Sequence, residues 1–239
     1  MRQVVLLLQM VLWAYPEGPD ISGSATATPD TYLQSVTAEL SRQWPQNRTV
    51  NIVCHGHSVP AGYFRTPVVD TFNAYPHLLH RGLKERFPYA VVNVVVTAIG
   101  GEHSEAGAKR FERDVLALRP DVVTIDYGLN DRGVGLLRAE TAWKAMIAQA
   151  KAAGARVILL TPTPETGAKL DDPTDLLNQH AEQIRRLARE NSVALVDSLV
   201  EFQTRLRAGE SLESCMSQSN HPNRKGHEIV AAELLKWFH

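Results

Sequence analysis

Cysteine is scarce: the chain of 239 residues has two, Cys54 and Cys215. Neither stands in a Cys-x-x-Cys spacing, so a disulfide scaffold, a zinc ribbon and a dithiol redox centre of that pattern are all excluded. Free thiols are expected. Cys54 comes shortly before Ser58 and Cys215 shortly before His221, so a fold that joins those two segments leaves a bridge open.

An excess of charge is missing too. With 25 basic and 26 acidic residues and a formal charge of -1, the chain has no electrostatic footprint for phosphate backbones or anionic membranes, and no nucleic-acid partner is expected. No apolar run approaches the roughly 20 residues that cross a bilayer, so no transmembrane segment is expected. Internal repeats, low-complexity tracts and linkers are absent as well. At 44% hydrophobic residues the chain can bury a full core, and one domain is the expectation.

The start, MRQVVLLLQMVLWAYPEG, is open to two readings. One Arg before an apolar run of roughly a dozen residues resembles a signal peptide, with small residues at Ala25-Thr26-Ala27 for cleavage. A buried strand or helix fits equally well, so localisation stays open between cytoplasmic and secreted. Residues 1–48 are read as an N-terminal extension, with a loop over 15–30 and a helix from Asp30 to Arg42, and residues 49–239 as a single domain.

From residue 49 two patterns alternate. Thr49 to Cys54, Val91 to Ala98, Asp121 to Tyr127, Arg156 to Thr161 and Val193 to Asp197 are short, nearly all-apolar runs, as in strands covered on both faces. Helical spacing holds over about 70–86, 104–118, 138–153, 175–190 and 223–238. Trp143, Met146, Ile147 and Ala150 form one apolar stripe, and Gly154 offers the stop. Five such alternations predict a parallel sheet of about five strands wrapped by helices, with its chemistry at the carboxyl ends of the strands.

The unusual segments fall at those ends. After the first strand comes His55-Gly56-His57-Ser58, after the second Ile99-Gly100-Gly101-Glu102, and after the third Gly128-Leu129-Asn130-Asp131; Asn220-His221-Pro222-Asn223 precedes the last helix. An acyl-transfer site needs these residue types. A serine hydroxyl is a weak nucleophile until an imidazole takes its proton, and the oxyanion formed on attack must meet fixed donors. Ser58 and His221 supply the first pair. The backbone N–H groups of Ser58 and Gly101 and the side-chain amide of Asn130 supply the donors.

In this order the segments resemble the SGNH hydrolases, or GDSL-type esterases, from about residue 50 to the C-terminus. The resemblance implies a flavodoxin-like three-layer α/β/α sandwich and hydrolysis of carboxylic esters, often acetyl groups on carbohydrates. It implies Ser58 as nucleophile, His221 as general base, and Gly101 and Asn130 in the oxyanion hole, with Gly100 as the alternative glycine. No cofactor and no metal are implied. The expected partner is an ester of a carbohydrate or small molecule, and the oligomeric state is open.

Two positions depart from the family pattern. His57 stands where the motif has an aspartate, and Gln218 stands where an acid three residues before the histidine is usual. Since that acid orients the imidazole, the orienting partner of His221 is open between Gln218, a backbone carbonyl and a carboxylate such as Glu213. His57→Asp, which restores the usual motif, is expected to leave an active enzyme. His57, Gly100, Tyr63 and Arg132 are candidate substrate contacts.

Two rival functions are compatible with the residues. His55 and His57, with His221, His227 or Asp131, could form a metal-dependent hydrolase site. The missing acid also admits a binding protein on a retired hydrolase scaffold.

Overall fold

The computed structural model describes residues 27–239. The apolar N-terminal run, and the small residues that follow it apart from Ala27, lie outside the described residues. In chain order the elements are α1 (Pro29–Tyr32), α2 (Gln34–Leu40), β1 (Thr49–Gly56), α3 (Ser58–Ala61), α4 (Tyr75–Arg86), β2 (Val91–Val96), α5 (Ser104–Asp114) and β3 (Val122–Asp126). There follow α6 (Leu136–Ala152), β4 (Arg156–Leu160), α7 (Leu176–Asn191), β5 (Ala194–Val196), α8 (Ser198–Arg207), β6 (Met216–Gln218), β7 (His221–Pro222) and α9 (Arg224–Leu235).

The five long-range strands form a parallel sheet in the order β2-β1-β3-β4-β5. In β1, Ile52 pairs with Val94 on one side and Val122 on the other. Alternate residues of each strand serve opposite faces, because side chains in a strand alternate. Ile52, Cys54, Val122, Ile158 and Leu160 join one core with Leu79 and Leu83 of α4, Leu199 of α8 and Val230 and Leu234 of α9. Val53, Val123, Ile125, Val157 and Leu159 join the other with Phe111 of α5, Trp143 and Met146 of α6 and Leu187 of α7. This is the three-layer α/β/α sandwich, and it explains why the strands lack polar alternation. Each such fully buried side chain contributes roughly 1.5–3 kcal/mol.

Leu33, Val36 and Leu40, around α2, belong to the first core. Through these residues α2 packs on the sheet. Cys54 and Cys215 are both buried and unbridged, and burial pushes the Cys54 thiol up to about 12.

Helix ends differ from the periodic reading for local reasons. The stretch 70–86 forms a 3₁₀ turn at Thr71–Asn73 and becomes α-helical at Tyr75, where Pro76 occupies the first turn and its missing N–H is no loss. The helix α8 has no counterpart in that reading, since Leu199 and Phe202 are its only large buried apolar residues and two positions make no visible stripe. Asp197, at the end of the fifth apolar run, follows β5 and caps α8 by accepting from Val200 N. Among the described residues no helix is long and apolar enough to cross a membrane.

Three buried imidazoles tie the fold to pH. Burial holds His55 down to about 4, His180 down to about 4 and His227 down to about 3; beside His55 and His180 the cations Arg110 and Arg132 act in the same direction. The folded values lie below the unfolded value of about 6.5, so the unfolded chain binds more protons as the medium turns acidic. Their contribution to stability is complete above about pH 6.5 and is lost as pH falls toward 4. Counting only the fully buried His55 and His227, the unfolding free energy is expected to drop by on the order of 2–4 kcal/mol between pH 7 and pH 5. Urea midpoints at the two pH values check this, and equal midpoints would contradict it.

Candidate active site

The parallel register brings the ends of β1, β2 and β3 side by side, and backbone bonds fasten the segments that leave them. Ile99 N donates to Gly56 O at 3.0 Å and His57 N to Asp126 O at 3.2 Å. Gly56 is forced by this approach, since a Cβ there would lie 2.4 Å from Asp126 O and 2.8 Å from Pro60 Cγ. The chain then turns at once into α3, whose first residue is Ser58. His221 reaches the same place from β7, which forms a small antiparallel hairpin with β6. Asn223 sets its position by capping α9 through Gly226 N and donating its own N–H to Cys215 O at 2.9 Å.

Ser58 and His221 meet. Ser58 Oγ lies 2.9 Å from His221 Nε2, and His221 Nδ1 lies 2.8 Å from the carbonyl oxygen of Phe64. A carbonyl can only accept, so Nδ1 carries the proton and Nε2 presents its lone pair to the serine hydroxyl. Ser58 is 6% and His221 5% exposed. Burial pushes the His221 imidazole below its ordinary value; the Phe64 carbonyl works against that shift and the nearby His57 adds to it.

The orienting partner is therefore the Phe64 carbonyl, and Gln218 is corrected. Gln218 Oε1 accepts from Thr66 N at 2.8 Å and its Nε2 donates to Asn220 Oδ1 at 2.9 Å, which uses the amide elsewhere. It acts one step removed, by pinning the loop that carries Phe64. The same loop is held by Phe64 N on Val68 O at 3.1 Å, and by the Phe64 ring stacked on His227 with centroids 5.4 Å apart. Glu213 bonds Ser211 Oγ and is no candidate either. Gln218→Ala is accordingly expected to lower kcat by no more than about tenfold, against the about 10⁴-fold loss on replacing a triad aspartate in serine proteases; steady-state kinetics check this.

On the donor side, neither the N–H of Ser58 nor that of Gly101 has a protein acceptor among the described residues. Gly101 has φ +77° and open space where a Cβ would be, so backbone can face a ligand there. Asn130 Nδ2 donates to Glu102 O at 2.8 Å, and its second amide hydrogen is left over. Gly100 makes room for a ring instead, since Tyr63 would stand 2.8 Å from a Cβ at that position. Tyr63 thus fills the space between Gly100 and His221, whose ring centroid is 5.9 Å from its own.

The other candidates disperse. The guanidinium of Arg132 is forked onto Glu165, with Nη2 2.7 Å from Oε2, and its Nε donates to Leu129 O; these bonds use three of its five N–H groups. Asp131 is buried and accepts from Ser104 N at 2.8 Å and Trp143 Nε1 at 2.7 Å, which fixes the turn beside Asn130. His57 is fully buried, so contact with substrate is corrected as well. Its Nδ1 accepts from Val59 N at 3.2 Å and lies 3.5 Å from Ser58 Oγ, while Nε2 faces Asp126 Oδ1 at 3.3 Å. That last contact has an ion pair's length but is off the line of a hydrogen bond, and neither atom has another partner.

The two histidines of the metal reading part company. His55 sends Nδ1 to Thr97 Oγ1 at 2.9 Å and Nε2 to Tyr127 Oη at 3.0 Å, whereas His57 faces Ser58, Val59 and Asp126. Among the described residues no group of three His, Cys, Asp or Glu side chains could hold a metal ion.

Sequence reasoning misses the Phe64 carbonyl, which no side-chain pattern signals. It also misses the network around Glu102, although that residue directly follows the singled-out Gly100-Gly101.

The chain is similar in sequence and in fold to known proteins. The GDSL-like lipase/acylhydrolase family matches residues 54–229. An acetylxylan esterase from Geobacillus stearothermophilus is 25% identical over 166 residues, 64% of this chain and 75% of that one. The crystal structure of Axe2, an acetylxylan esterase from Geobacillus stearothermophilus, covers 79% of this chain and 94% of its own with a TM-score of 0.67 at 22% identity. A two-domain esterase active on acetylated mannans covers 87% of this chain and 52% of its own, with a TM-score of 0.70 at 19% identity. Catalytic mutants of Axe2 replace a serine, a histidine and an aspartate three positions before that histidine; at that spacing before His221 this chain has Gln218. The family match begins inside β1 and ends inside α9, so it takes in every strand-end segment of the site: the chain belongs to the GDSL-like lipase/acylhydrolase family and is a carboxylic ester hydrolase.

Proposed function

We propose that this chain removes acetyl or other short acyl groups from a carbohydrate or small-molecule ester by a Ser58–His221 dyad with an oxyanion hole. The observation that carries the reading is the 2.9 Å contact from Ser58 Oγ to His221 Nε2, backed by Nδ1 on the Phe64 carbonyl. His221 takes the Ser58 proton as Oγ attacks the ester carbonyl, and the resulting oxyanion is met by the N–H groups of Ser58 and Gly101 and by the Asn130 amide. Collapse of the tetrahedral intermediate expels the alcohol, which receives the proton from His221 Nε2. A water then repeats the sequence on the acyl-serine, with His221 again the base. The Phe64 carbonyl dipole faces the imidazolium at the moment it is charged, in place of a carboxylate.

The carbohydrate side of the reading draws on the relatives, an acetylxylan esterase and an esterase active on acetylated mannans. The purified chain is expected to release acetate from acetylated xylo-oligosaccharides and to hydrolyse p-nitrophenyl acetate faster than p-nitrophenyl octanoate. Acetate assay and absorbance check the two substrates. A preference for the octanoate, or no acetate from any acetylated glycan, would contradict the substrate class.

A further inference from the structure

The segment that carries Gly101 contains two adjacent glycines, so its own backbone supplies little stiffness. The next residue fastens it. Glu102 is tied at three points: its N–H donates to Ile99 O at 3.2 Å, its carbonyl accepts Asn130 Nδ2 at 2.8 Å, and its largely buried carboxylate meets Arg110 of α5 and Tyr127, which follows β3. There Arg110 Nε donates to Oε1 at 2.8 Å, Arg110 Nη2 donates to Oε2, and Tyr127 Oη donates to Oε2 at 2.7 Å. Burial alone would raise the Glu102 carboxyl, but the bonds from Arg110 and Tyr127 outweigh it and hold it below the usual range.

Tyr127 links both sides of the hole. Its backbone carbonyl accepts from Asn130 N at 3.0 Å and Asp131 N at 3.1 Å, while its hydroxyl anchors the residue after Gly101. Room for that hydroxyl is provided by Gly107, where a Cβ would lie 2.2 Å from Tyr127 Oη. Behind it stands His55 Nε2 at 3.0 Å, which completes a buried polar chain as far as Thr97. A buried ion pair adds little net stability, because desolvation offsets the attraction. Its contribution here is direction.

We propose that Glu102 is a positioning residue for the oxyanion hole: its carboxylate, clamped by Arg110 and Tyr127, fixes the residue that both follows Gly101 and holds the Asn130 amide. The proposal rests on the reading of Gly101 and Asn130 as oxyanion donors. An amide whose one hydrogen is committed to the Glu102 carbonyl has its second hydrogen aimed, and a donor aimed before the reaction needs no reorganisation as charge develops.

The test compares wild type with Glu102→Gln, which keeps the side-chain shape, and with Tyr127→Phe, which keeps the ring and removes one clamp. Asn130→Ala is the control, and folding is checked by circular dichroism. Each protein is assayed for kcat and KM on p-nitrophenyl acetate and for inhibition by trifluoroacetone, whose adduct with serine carries the oxyanion. Both variants are expected to lose about 10- to 100-fold in kcat, less than the about 10²- to 10³-fold loss when a donor is removed outright. KM stays within about twofold, and trifluoroacetone affinity falls in proportion to kcat/KM. Lowered melting temperatures with unchanged kcat and inhibitor affinity would overturn the proposal and leave Glu102 a merely structural residue. If Asn130→Ala itself leaves kcat unchanged, the oxyanion reading fails and the proposal falls with it; a loss in Asn130→Ala alone overturns the positioning role only.

Discussion

Ser58→Ala is expected to lower kcat on p-nitrophenyl acetate by about 10⁴-fold or more while the protein stays folded, in line with the loss of about 10⁶-fold on removing the nucleophile of a serine protease. The methyl group of alanine occupies part of the volume of the hydroxymethyl group and leaves α3 intact. It removes the atom 2.9 Å from His221 Nε2 and with it the acyl-enzyme route. His221→Ala is expected to match it within about tenfold, because nucleophile and base act as one unit. The residual rate would come from the donors, which can still polarise an ester toward water. Kinetics with circular dichroism on both variants measure this. A folded Ser58→Ala protein that keeps a tenth of wild-type kcat would remove the serine from the mechanism.

His57→Asp carries the second large effect, this time on stability. The sequence pattern alone makes this change a return to the usual family motif and predicts an active enzyme. The structure adds what surrounds the side chain: His57 is fully buried with Nε2 3.3 Å from Asp126 Oδ1, and Tyr75 Oη donates to Asp126 Oδ2 at 3.2 Å. Because Nδ1 accepts the Val59 N–H, the proton of His57 sits on Nε2 and faces the carboxylate. An aspartate in its place removes the Nε2–H that faces Asp126 and sets a second carboxylate beside the first in a buried pocket. Leaving a buried carboxylate uncompensated in this way costs about 3–5 kcal/mol. The double variant His57→Asp/Asp126→Asn, which leaves a single carboxylate, is expected to recover at least half of that loss, and the folded fraction of either variant should retain esterase activity. Urea denaturation of the two single variants and the double one gives the coupling directly. Additive effects would show that the His57–Asp126 contact carries no energy.

Much of the architecture was legible because it follows from periodicity. All-apolar runs at Thr49, Val91, Asp121, Arg156 and Val193 become the five parallel strands; the inner ones are buried on both faces and show no polar alternation, while β2, at the edge, is only partly buried. Helices with broad apolar stripes, such as the one around Trp143 and Met146, were equally plain. Short elements were not: α8 buries too few large residues to leave a pattern, and the β6–β7 hairpin that delivers His221 has only three and two residues. At the site, side-chain chemistry could be read and backbone chemistry could not. Ser58 and His221 stand out as types in sequence, whereas the partner of His221 Nδ1 is a main-chain oxygen that every residue possesses. Only the fold of the 62–70 loop selects Phe64 for it. Arg132 shows the same limit, because nothing in the sequence pairs it with Glu165, its carboxylate partner on another loop.

The mechanism stands or falls with Ser58, activated by His221, as the nucleophile. A fluorophosphonate that phosphonylates activated serines probes that atom itself, with the adduct located by peptide mass spectrometry and esterase activity followed in parallel, alongside a wild-type sample treated with EDTA. The expected result is one adduct per chain on Ser58, activity lost in step with labelling, greatly slowed labelling in His221→Ala, and no effect of EDTA. Activity that survives complete labelling of Ser58, or labelling at another residue that tracks the loss of activity, would contradict it.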